Sequence, residues 1–588
     1  MDKRIADTYS KRSKATLSKG LYDSYIRAIR WASDRIGNCG IIGFVTNAGF
    51  LESNSADGLR KCLAEEFSSI FILHLRGGIR GKSGILAKQE GGNVFNIMVP
   101  TSICILVKNF KAKRSRQILF HDIGDNLNRK DKLERIEQLG SLGGITRAEL
   151  WRNISPDKHG DWLKQRDDSF ESFIPMGLKK KNESTLFLNF SLGVVTNRDS
   201  WCWNYSKKKL EINIKYMIDI YNSELTRFNQ SFPNESKKEK DKIVASFVIS
   251  DPTKISWTRA LRQDIARNQE LSYSSISMVK ATYRPFTHQW LYFNKRLNEV
   301  VSQVVRMFPE ASTENRVICF RGTGGLNDFS PLMVNHVPDL CVADGRNSQC
   351  FPLFLYNENN EKPDNDDLFP GALKSGINKQ NAITDDGLKH FQDAYPGKII
   401  SKEDLFYYVY GLLHSPEYRE RYADTLRKEL PRIPRVKTYE AFKAFSDAGR
   451  RLGEMHVNFE TQPIYQDVEI DTGNKNLTPE DYRVTQMKYG KGKDKTILHY
   501  NERITVSGIP LEAYDYVVNG KPALDWVVER QCVKTDKASG IVNDANDWAI
   551  ETMHNPRYPL ELFLRVITIS LETMKIVNNL PALDILEN

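Results

Sequence analysis

The sequence predicts an incomplete α/β sheet over residues 1–110, followed by a mixed α+β region from about residue 187 to the end. In the first 110 residues, helical and strand patterns alternate as helix, strand, helix, strand, strand. The strands are apolar throughout, which is typical of a sheet covered by helices. A doubly wound domain has about five or more strands, so this pattern accounts for only part of such a domain.

Short periodic patterns define the elements of the first region. Apolar residues at helical spacing predict helices, and unbroken apolar runs of about four to eight residues predict buried strands. The predicted helices are Leu21–Ile36 and Asn54–Phe67, and the predicted strands are Ile41–Thr46, Ile70–Leu75 and Ser102–Lys108. A glycine-rich loop, Gly77–Gly92, separates the last two strands. Residues 111–186, which begin polar and basic, are predicted to form a connector.

The region from residue 187 to 588 is predicted from the same patterns. Apolar residues at helical spacing predict helices over Phe406–Arg427, Thr438–His456 and Leu560–Asn578. Segments rich in charged residues, Asn or Gly predict loops, and these are Ser231–Lys242, Asn357–Asn365 and Gly490–Lys495.

Composition narrows the class of protein. Of the 588 residues, 40% are apolar and 27% charged, which fits a folded protein of several domains and excludes general disorder. The eight cysteines form no CxxC pair and have no zinc-site spacing, so we expect reduced thiols in a cytoplasmic protein. No apolar run approaches the roughly 18 residues that span a membrane. The net charge of +10 indicates an acidic partner only where the positive residues cluster.

Two glycine clusters resemble nucleotide-binding loops without meeting their requirements. Gly77–Ser83 follows a strand and ends in Gly-Lys-Ser, but Arg76 stands where a phosphate-binding loop needs its first glycine, and no amphipathic helix is predicted after it. Gly322–Gly325 precedes Asp344 by the spacing of a dinucleotide loop, but two prolines interrupt the helix that must follow. We interpret the first cluster as a surface loop and the second as a tight turn.

The sequence predicts no metal or nuclease site. A nuclease of the PD-(D/E)xK type needs carboxylates that converge on Mg²⁺. Glu235-Ser236-Lys237 imitates the end of that motif, but it lies in a predicted charged loop. The ten histidines are dispersed along the chain.

The clearest functional signal is the segment Lys254–Arg306, which holds nine Lys or Arg against three acidic residues, with aromatic residues interleaved. Cations of this kind neutralise phosphates, and arginine can also bind guanine edges. Composition alone leaves two interpretations open, a DNA-contacting surface or a solvated basic face over an aromatic core. Trp290, Tyr292 and Phe293 favour core positions. The candidate DNA-binding residues are Lys254, Arg259, Arg262, Arg267, Lys280, Arg284, Lys295 and Arg296. Arg259, Arg262 and Arg267 lead this set because they precede the aromatic segment.

Short segments spread over almost the whole chain resemble the type ISP restriction–modification enzymes, the single-polypeptide relatives of type I systems. The matching segments are Leu21–Arg27, Gly40–Phe50, Phe67–Gly77, Ile103–Lys108, Gly193–Arg198, Lys254–Arg259, Tyr283–Phe293, Leu405–Glu420 and Asp544–Tyr558. Their order and extent make the resemblance specific.

The resemblance implies roles for these segments. Residues 21–30 resemble the helix that follows the catalytic motif of adenine-N6 methyltransferases, 40–51 the next strand and loop, and 102–108 a hairpin strand near the flipped base. Residues 187–588 resemble the family's target recognition domain, which binds double-stranded DNA. The implied fold is a partial, Rossmann-like methyltransferase sheet over residues 1–110 followed by that domain.

The chain also departs from the family pattern. Family members carry upstream a nuclease, a motor, an S-adenosylmethionine loop and an NPPY motif, whose Asn and Pro bind the adenine amino group. Asn555-Pro556-Arg557-Tyr558 is similar to NPPY but has Arg where Pro is needed. We therefore expect a fragment or a split-gene product that catalyses nothing alone, while the intact enzyme uses S-adenosylmethionine, ATP and Mg²⁺. The alternatives are one half of an active split methyltransferase, completed by an upstream methyltransferase, helicase or nuclease polypeptide, and a P-loop NTPase.

Overall fold

The computed structural model describes residues 1–15, 19–80, 84–109, 111, 116–178, 183–325, 327–357, 378–473 and 477–587. They divide into two compact units. The first unit comprises residues 1–170 and 422–429, and the second comprises residues 171–421 and 430–588.

Helices and strands are numbered in chain order. The α-helices of the described residues are α1 Asp2–Ile5, α2 Ser24–Arg35, α3 Asp57–Glu66, α4 Gly84–Glu90, α5 Arg129–Leu139, α6 Leu142–Arg147, α7 Asp199–Cys202, α8 Lys207–Ser231, α9 Lys237–Phe247, α10 Arg259–Ala266, α11 Asp385–Gln392, α12 Lys402–His414, α13 Pro416–Arg421, α14 Ala423–Leu426, α15 Tyr439–Val457, α16 Ala523–Arg530, α17 Ala545–Glu551 and α18 Tyr558–Asn578. The strands are β1 Cys39–Asn47, β2 Ser69–Arg76, β3 Thr101–Asn109, β4 Gln117–Asp122, β5 Arg152–Asn153, β6 Ile174–Pro175, β7 Ser191–Leu192, β8 Trp203–Asn204, β9 Met278–Arg284, β10 Thr287–Tyr292, β11 Val317–Arg321, β12 Leu332–Val334, β13 Val337–Pro338, β14 Ser348–Pro352, β15 Phe354–Asn357, β16 Asn378–Asn381, β17 Arg432–Ile433, β18 Glu469–Asp471, β19 Lys488–Tyr489, β20 Ile497–His499, β21 Thr505–Ser507, β22 Val517–Val518, β23 Lys521–Pro522, β24 Val533–Thr535 and β25 Val542–Asp544.

The first unit is built on one five-stranded sheet in the order β1-β3-β2-β4-β5. Strand β3 runs antiparallel to both β1 and β2, so β1 and β2 are parallel to each other, and β4 is parallel to β2. The three predicted strands are therefore confirmed, and β3 lies between the other two. The sheet also takes in residues 117–122, which the sequence assigns to the connector.

The two faces of this sheet are covered unequally. Helices α2 and α3 bury Ile29 and Leu63 against one face, where Ile42, Ile72 and Leu106 form the core. On the opposite face a small cluster built on Leu73, Leu75, Val94 and Ile123 covers one end. At the other end of that face, on the outermost strand β1, Ile41 is 71% exposed and Val45 is 56% exposed.

The second unit combines three four-stranded sheets with helices. The sheets have the strand orders β13-β9-β10-β8, β12-β11-β14-β7 and β18-β21-β20-β19. Helices α12 and α15 pack closely because glycine faces backbone at their crossing. A Cβ atom at Gly411 would lie 2.1 Å from the Phe445 carbonyl oxygen, and one at Gly449 would lie 1.9 Å from that of Tyr407. The mixed α+β class predicted for this region is confirmed.

Three predictions of secondary structure were wrong. Residues 406–427 form three helices instead of one, because Pro416 cannot donate a backbone hydrogen bond and holds Ser415 in an extended conformation. Most of the predicted loop Ser231–Lys242 is helical, with α8 ending at Ser231 and α9 beginning at Lys237. A helix, α4, does follow the cluster Gly77–Ser83, of which residues 81–83 lie outside the described residues.

Two further expectations concern cysteines and membrane segments. All eight cysteines are free, and six of them are buried, as predicted for structural thiols. Within the described ranges, no helix has the length and apolar character needed to cross a membrane. The predicted loop Asn357–Asn365 lies almost wholly outside the described residues.

Candidate nucleic-acid interface

The basic segment Lys254–Arg306 separates into two structural parts. Its later half forms the hairpin of β9 and β10 in the interior of the second unit, and its earlier half forms α10 and the segment leading to it. The cations of the two parts have different surroundings, and these decide which of them are available to a ligand.

Two cations of the hairpin are neutralised within the fold. Lys280 Nζ lies 2.8 Å from the Glu460 carboxylate, and Arg284 Nη1 lies 2.5 Å from Asp339 Oδ1. Both carboxylates are largely buried. Arg284 also donates to the Tyr283 carbonyl oxygen, at 2.6 Å. These contacts give Lys280 and Arg284 a structural role.

Burial and charge have opposite effects on the two carboxylates. Burial would raise the pKa of Glu460, but His288 and Lys280 outweigh it and hold that pKa well below its usual range. Burial raises the pKa of Asp339 to about 7, and Arg284 only partly offsets this effect. The stability of the hairpin thus depends on ion pairs that are buried away from water. Removing one partner of such a pair lowers the free energy of unfolding, because it leaves the other charge buried and unpaired.

The aromatic residues of the hairpin belong to the core, as the sequence predicts. Tyr292 and Phe293 are buried, and Trp290 is half-buried, with its Nε1 donating to Thr552 Oγ1 at 3.1 Å. Arg296 donates to Gln269 Oε1 at 2.8 Å, whereas Lys295 is exposed. Of the candidate cations in this half, Lys295 is the most accessible.

Helix α10 and Arg267, which follows it, carry cations that face solvent. Arg259 and Arg267 are exposed, and Arg262 is half-buried, with no hydrogen-bond partner for its Nε among the described residues. Arg267 lies 3.8 Å from Asp264. Lys254, which precedes the helix, is half-buried. The earlier half of the segment therefore presents Arg259 and Arg267 outward, whereas Nε of Arg262 is buried.

A buried arginine fixes the start of α10. Thr258 caps the helix by accepting a hydrogen bond from Leu261 N at 3.3 Å, and Arg198 Nη2 donates to the same Thr258 Oγ1 at 2.8 Å. Arg198 is only 3% exposed, its Nη1 donates to the Leu297 carbonyl oxygen, and burial lowers its pKa. This arginine lies in one of the segments that carry the resemblance, but its role could not be predicted from sequence spacing.

Helix α9 adds a group of lysines that the sequence patterns did not single out. Lys237, Lys238 and Lys242 are exposed, and α9 packs against α10. The helix begins with a capping box, in which Ser236 Oγ accepts from Glu239 N and the Glu239 carboxylate accepts from Ser236 N. The Ser-x-x-Glu spacing of that box is visible in the sequence and predicts a helix start.

Within the described residues, both glycine clusters pack closely against asparagines. The position of a Cβ at Gly77 is 2.8 Å from Asn93, and that at Gly322 is 2.8 Å from the Asn347 carbonyl oxygen. The second cluster is a tight turn, as predicted, and Gly324 has a φ of 79°. These close approaches explain why positions 77 and 322 need glycine. Residues 81–83 of the first cluster lie outside the described residues.

The segment Asn555–Tyr558 is likewise occupied by contacts within the fold. Tyr558 is buried and its hydroxyl donates to Glu460 Oε1 at 2.7 Å. Asn555 Nδ2 donates to Glu561 at 3.0 Å. A ring in this position cannot stack on an extruded base. Within the described residues, no group of three or more His, Cys, Asp or Glu could hold a metal ion.

Comparison with known proteins gives one family and several solved structures. Residues 185–562 match the family model described as the Type ISP C-terminal specificity domain. A nuclease-deletion mutant of the Type ISP restriction-modification enzyme LlaGI, in complex with a DNA substrate mimic, is similar with a TM-score of 0.84 and 38% identity. The ATP-dependent Type ISP restriction-modification enzyme LlaBIII bound to DNA has a TM-score of 0.85 and 36% identity, and the DrdV–DNA complex 0.78 and 32%.

These similarities extend over the whole of this chain but only part of the relatives. They cover 100%, 100% and 99% of this chain, which spans 50%, 35% and 54% of the LlaGI, LlaBIII and DrdV chains, respectively. No curated protein sequence matches the chain.

Proposed function

This chain belongs to the type ISP restriction–modification family, and from that membership we propose that its second unit recognises a specific sequence in double-stranded DNA. One observation carries the proposal. The family's specificity domain matches residues 185–562, and almost all of that range lies in the second unit. The enzyme of which it forms part would methylate adenine at N6 and cleave unmodified DNA, with S-adenosylmethionine, ATP and Mg²⁺ bound elsewhere.

The contact surface that we propose is formed by α9 and α10. Arg259 and the exposed lysines of α9 can neutralise phosphates at little cost, because no ion pair within the described residues holds them. Arg267 has only a long contact with Asp264, at 3.8 Å. Lys280 and Arg284 would have to give up Glu460 and Asp339. This difference supports Arg259, Arg262 and Arg267 as DNA-binding residues over the two hairpin cations.

Fluorescence anisotropy with a random-site duplex at several salt concentrations tests this proposal. If about four to six cations contact phosphates, log K should fall with log salt with a slope of about −4 to −5. Replacing Arg259, Arg262 and Arg267 together by Ala should weaken binding and reduce the slope by about one for each phosphate that is no longer neutralised. Arg451→Ala is the matched control, since Arg451 is an exposed arginine on helix α15. Unchanged affinity in the triple variant, with an intact circular dichroism spectrum, contradicts the surface.

For the first unit we propose a second role, as one half of the methyltransferase sheet. The arrangement of parallel β1 and β2 with β3 inserted between them supports this assignment, and so does the uncovered apolar end that includes Ile41 and Val45. Phe95 is 51% exposed in the loop before β3, where an aromatic ring can stack on an extruded base.

Calorimetry with S-adenosylmethionine tests the half-sheet proposal. The chain alone should show no saturable binding, because its sequence has neither the family's S-adenosylmethionine loop, with the acidic partner of that loop, nor the NPPY motif. Methylation by this chain together with a second polypeptide that carries the NPPY motif would support a split enzyme. Micromolar, saturable binding by the chain alone would contradict the half-sheet assignment.

A further inference from the structure

We infer that α10 lies in the DNA major groove and that Arg259 and Gln263 on this helix recognise two nearby purines, Arg259 a guanine and Gln263 an adenine. This inference rests on the proposed DNA recognition and names the residues and bases by which it occurs. Gln263 was not among the residues that the sequence singled out.

The two side chains share one face of α10. Residues four apart on a helix are neighbours, with Cβ atoms about 5–6 Å apart. Arg259 is exposed and Gln263 is half-exposed, and neither side chain has a hydrogen-bond partner among the described residues. The opposite face is apolar and buried, with Leu261 and Ile265 in the interior. The helix therefore directs an arginine and a glutamine outward, side by side.

The chemistry of these two side chains fits base edges in the major groove. A guanidinium donates two parallel hydrogen bonds to guanine O6 and N7, and a glutamine amide accepts from adenine N6 while donating to N7. The residue next to Arg259 is Ala260, which is small enough to let the helix approach the bases. The Cβ atoms of the two residues are about 5–6 Å apart, and successive bases on a strand are about 3.4 Å apart, so the two purines should lie within about two base pairs of each other.

The helix is held rigidly, as a reader of bases requires. Its first turn is fixed by Thr258 and the buried Arg198. The segments on either side are tied down as well: Trp257 Nε1 donates to the Ile249 carbonyl oxygen at 2.7 Å, and Tyr221 on α8 donates to that of Gln269, also at 2.7 Å. Such preorganisation lowers the ordering cost of binding.

The neighbouring helix supplies the phosphate contacts that such a reader needs. In helix-turn-helix proteins the recognition helix lies in the major groove while another helix crosses the backbone. Here α9 packs on α10 and carries exposed Lys237, Lys238 and Lys242. Phosphate contacts position a protein on the duplex, and base contacts specify the sequence.

The test selects bound sequences from a randomised duplex library with the full 588-residue chain and its variants. The wild-type consensus should contain a guanine and an adenine within about two base pairs. Arg259→Ala should lose the preference at the guanine and bind the consensus duplex about 5- to 150-fold more weakly. Gln263→Ala should lose the preference at the adenine alone, and Gln263→Arg should change that position to guanine. Arg451→Ala should keep the wild-type consensus.

The outcomes separate this inference from the proposal on which it rests. If Arg259→Ala weakens binding to all DNA sequences equally, Arg259 contacts a phosphate, and the inference that it recognises a base is wrong. An unchanged consensus in both alanine variants would also overturn it. If the wild-type chain binds no DNA at any salt concentration, or binds DNA without any sequence preference, the proposed function itself is wrong. Circular dichroism of each variant establishes that the fold is intact.

Discussion

The hairpin of β9 and β10 and the helix pair α9–α10 are both rich in cations but use them differently. In the hairpin, Lys280 and Arg284 neutralise the largely buried carboxylates of Glu460 and Asp339. On the helices, Arg259 and the lysines of α9 face solvent. A basic composition therefore identifies a candidate segment, whereas the location of the counter-charge decides whether a cation stabilises the fold or is available to a ligand.

The largest effect on stability should come from breaking the Arg284–Asp339 pair. Arg284→Ala should lower the free energy of unfolding by about 3–5 kcal/mol, because it leaves a buried carboxylate without its partner. Urea denaturation at pH 8, where Asp339 is charged, measures this decrease. A change below about 1 kcal/mol, the range typical of surface pairs, would mean that the hairpin cations differ little from those on the helices.

The pH dependence of stability should depend on Asp339. Its pKa in the folded chain is raised from 3.8 to about 7, so its contribution to stability is fully present below about pH 4 and is lost as the pH rises through 7. The decrease has a slope of at most about 1.4 kcal/mol per pH unit. Asp339→Asn should remove this component, which urea titrations from pH 4.5 to 8 would reveal. Identical pH profiles for the two proteins would contradict the assignment.

A smaller effect is expected at the capping box of α9. Ser236→Ala should destabilise the helix start by about 1 kcal/mol, and amide hydrogen exchange should accelerate over residues 237–247. Ser246→Ala is the control, because Ser246 is an exposed serine near the other end of the same helix. Equal exchange in the two variants would show that the cap does not hold the lysines in place.

The smallest effect on stability, and the sharpest contrast with the hairpin, should come from Arg259. Arg259→Ala should change the free energy of unfolding by less than about 0.5 kcal/mol, as for an ordinary surface position, while it weakens DNA binding. Thermal unfolding and anisotropy on the same preparation give both quantities. A substantial decrease in stability would mean that Arg259 stabilises the fold as Lys280 and Arg284 do. The cations of the helices and those of the hairpin would then not differ in role.

Local patterns predicted the elements that depend on nearby residues. The strands at 41–46, 70–75 and 102–108 and the helix at 438–456 were found within a few residues of their predicted limits. The start of α9 is encoded by the capping pattern of Ser236 and Glu239, but the high charge of the same segment is also typical of a loop.

The partners of the candidate cations could not be predicted in the same way. Glu460 is 180 residues from Lys280, and Asp339 is 55 residues from Arg284. Sequence spacing contains no information on such pairs, since the fold alone brings them together. For the same reason, the sequence alone could not identify Gln263 as a candidate, since the exposure of its helix face depends on the fold.

Strand β1 should promote self-association of this protein at high concentration. It is the outermost strand of its sheet, and Ile41 and Val45 on its uncovered face are exposed. A strand edge with free backbone groups and apolar side chains is a template for another copy of itself, and it lacks the lysine or proline that commonly blocks such pairing. Self-association through β1 should therefore limit the solubility of the isolated chain, and a charged residue placed at Val45 should relieve it.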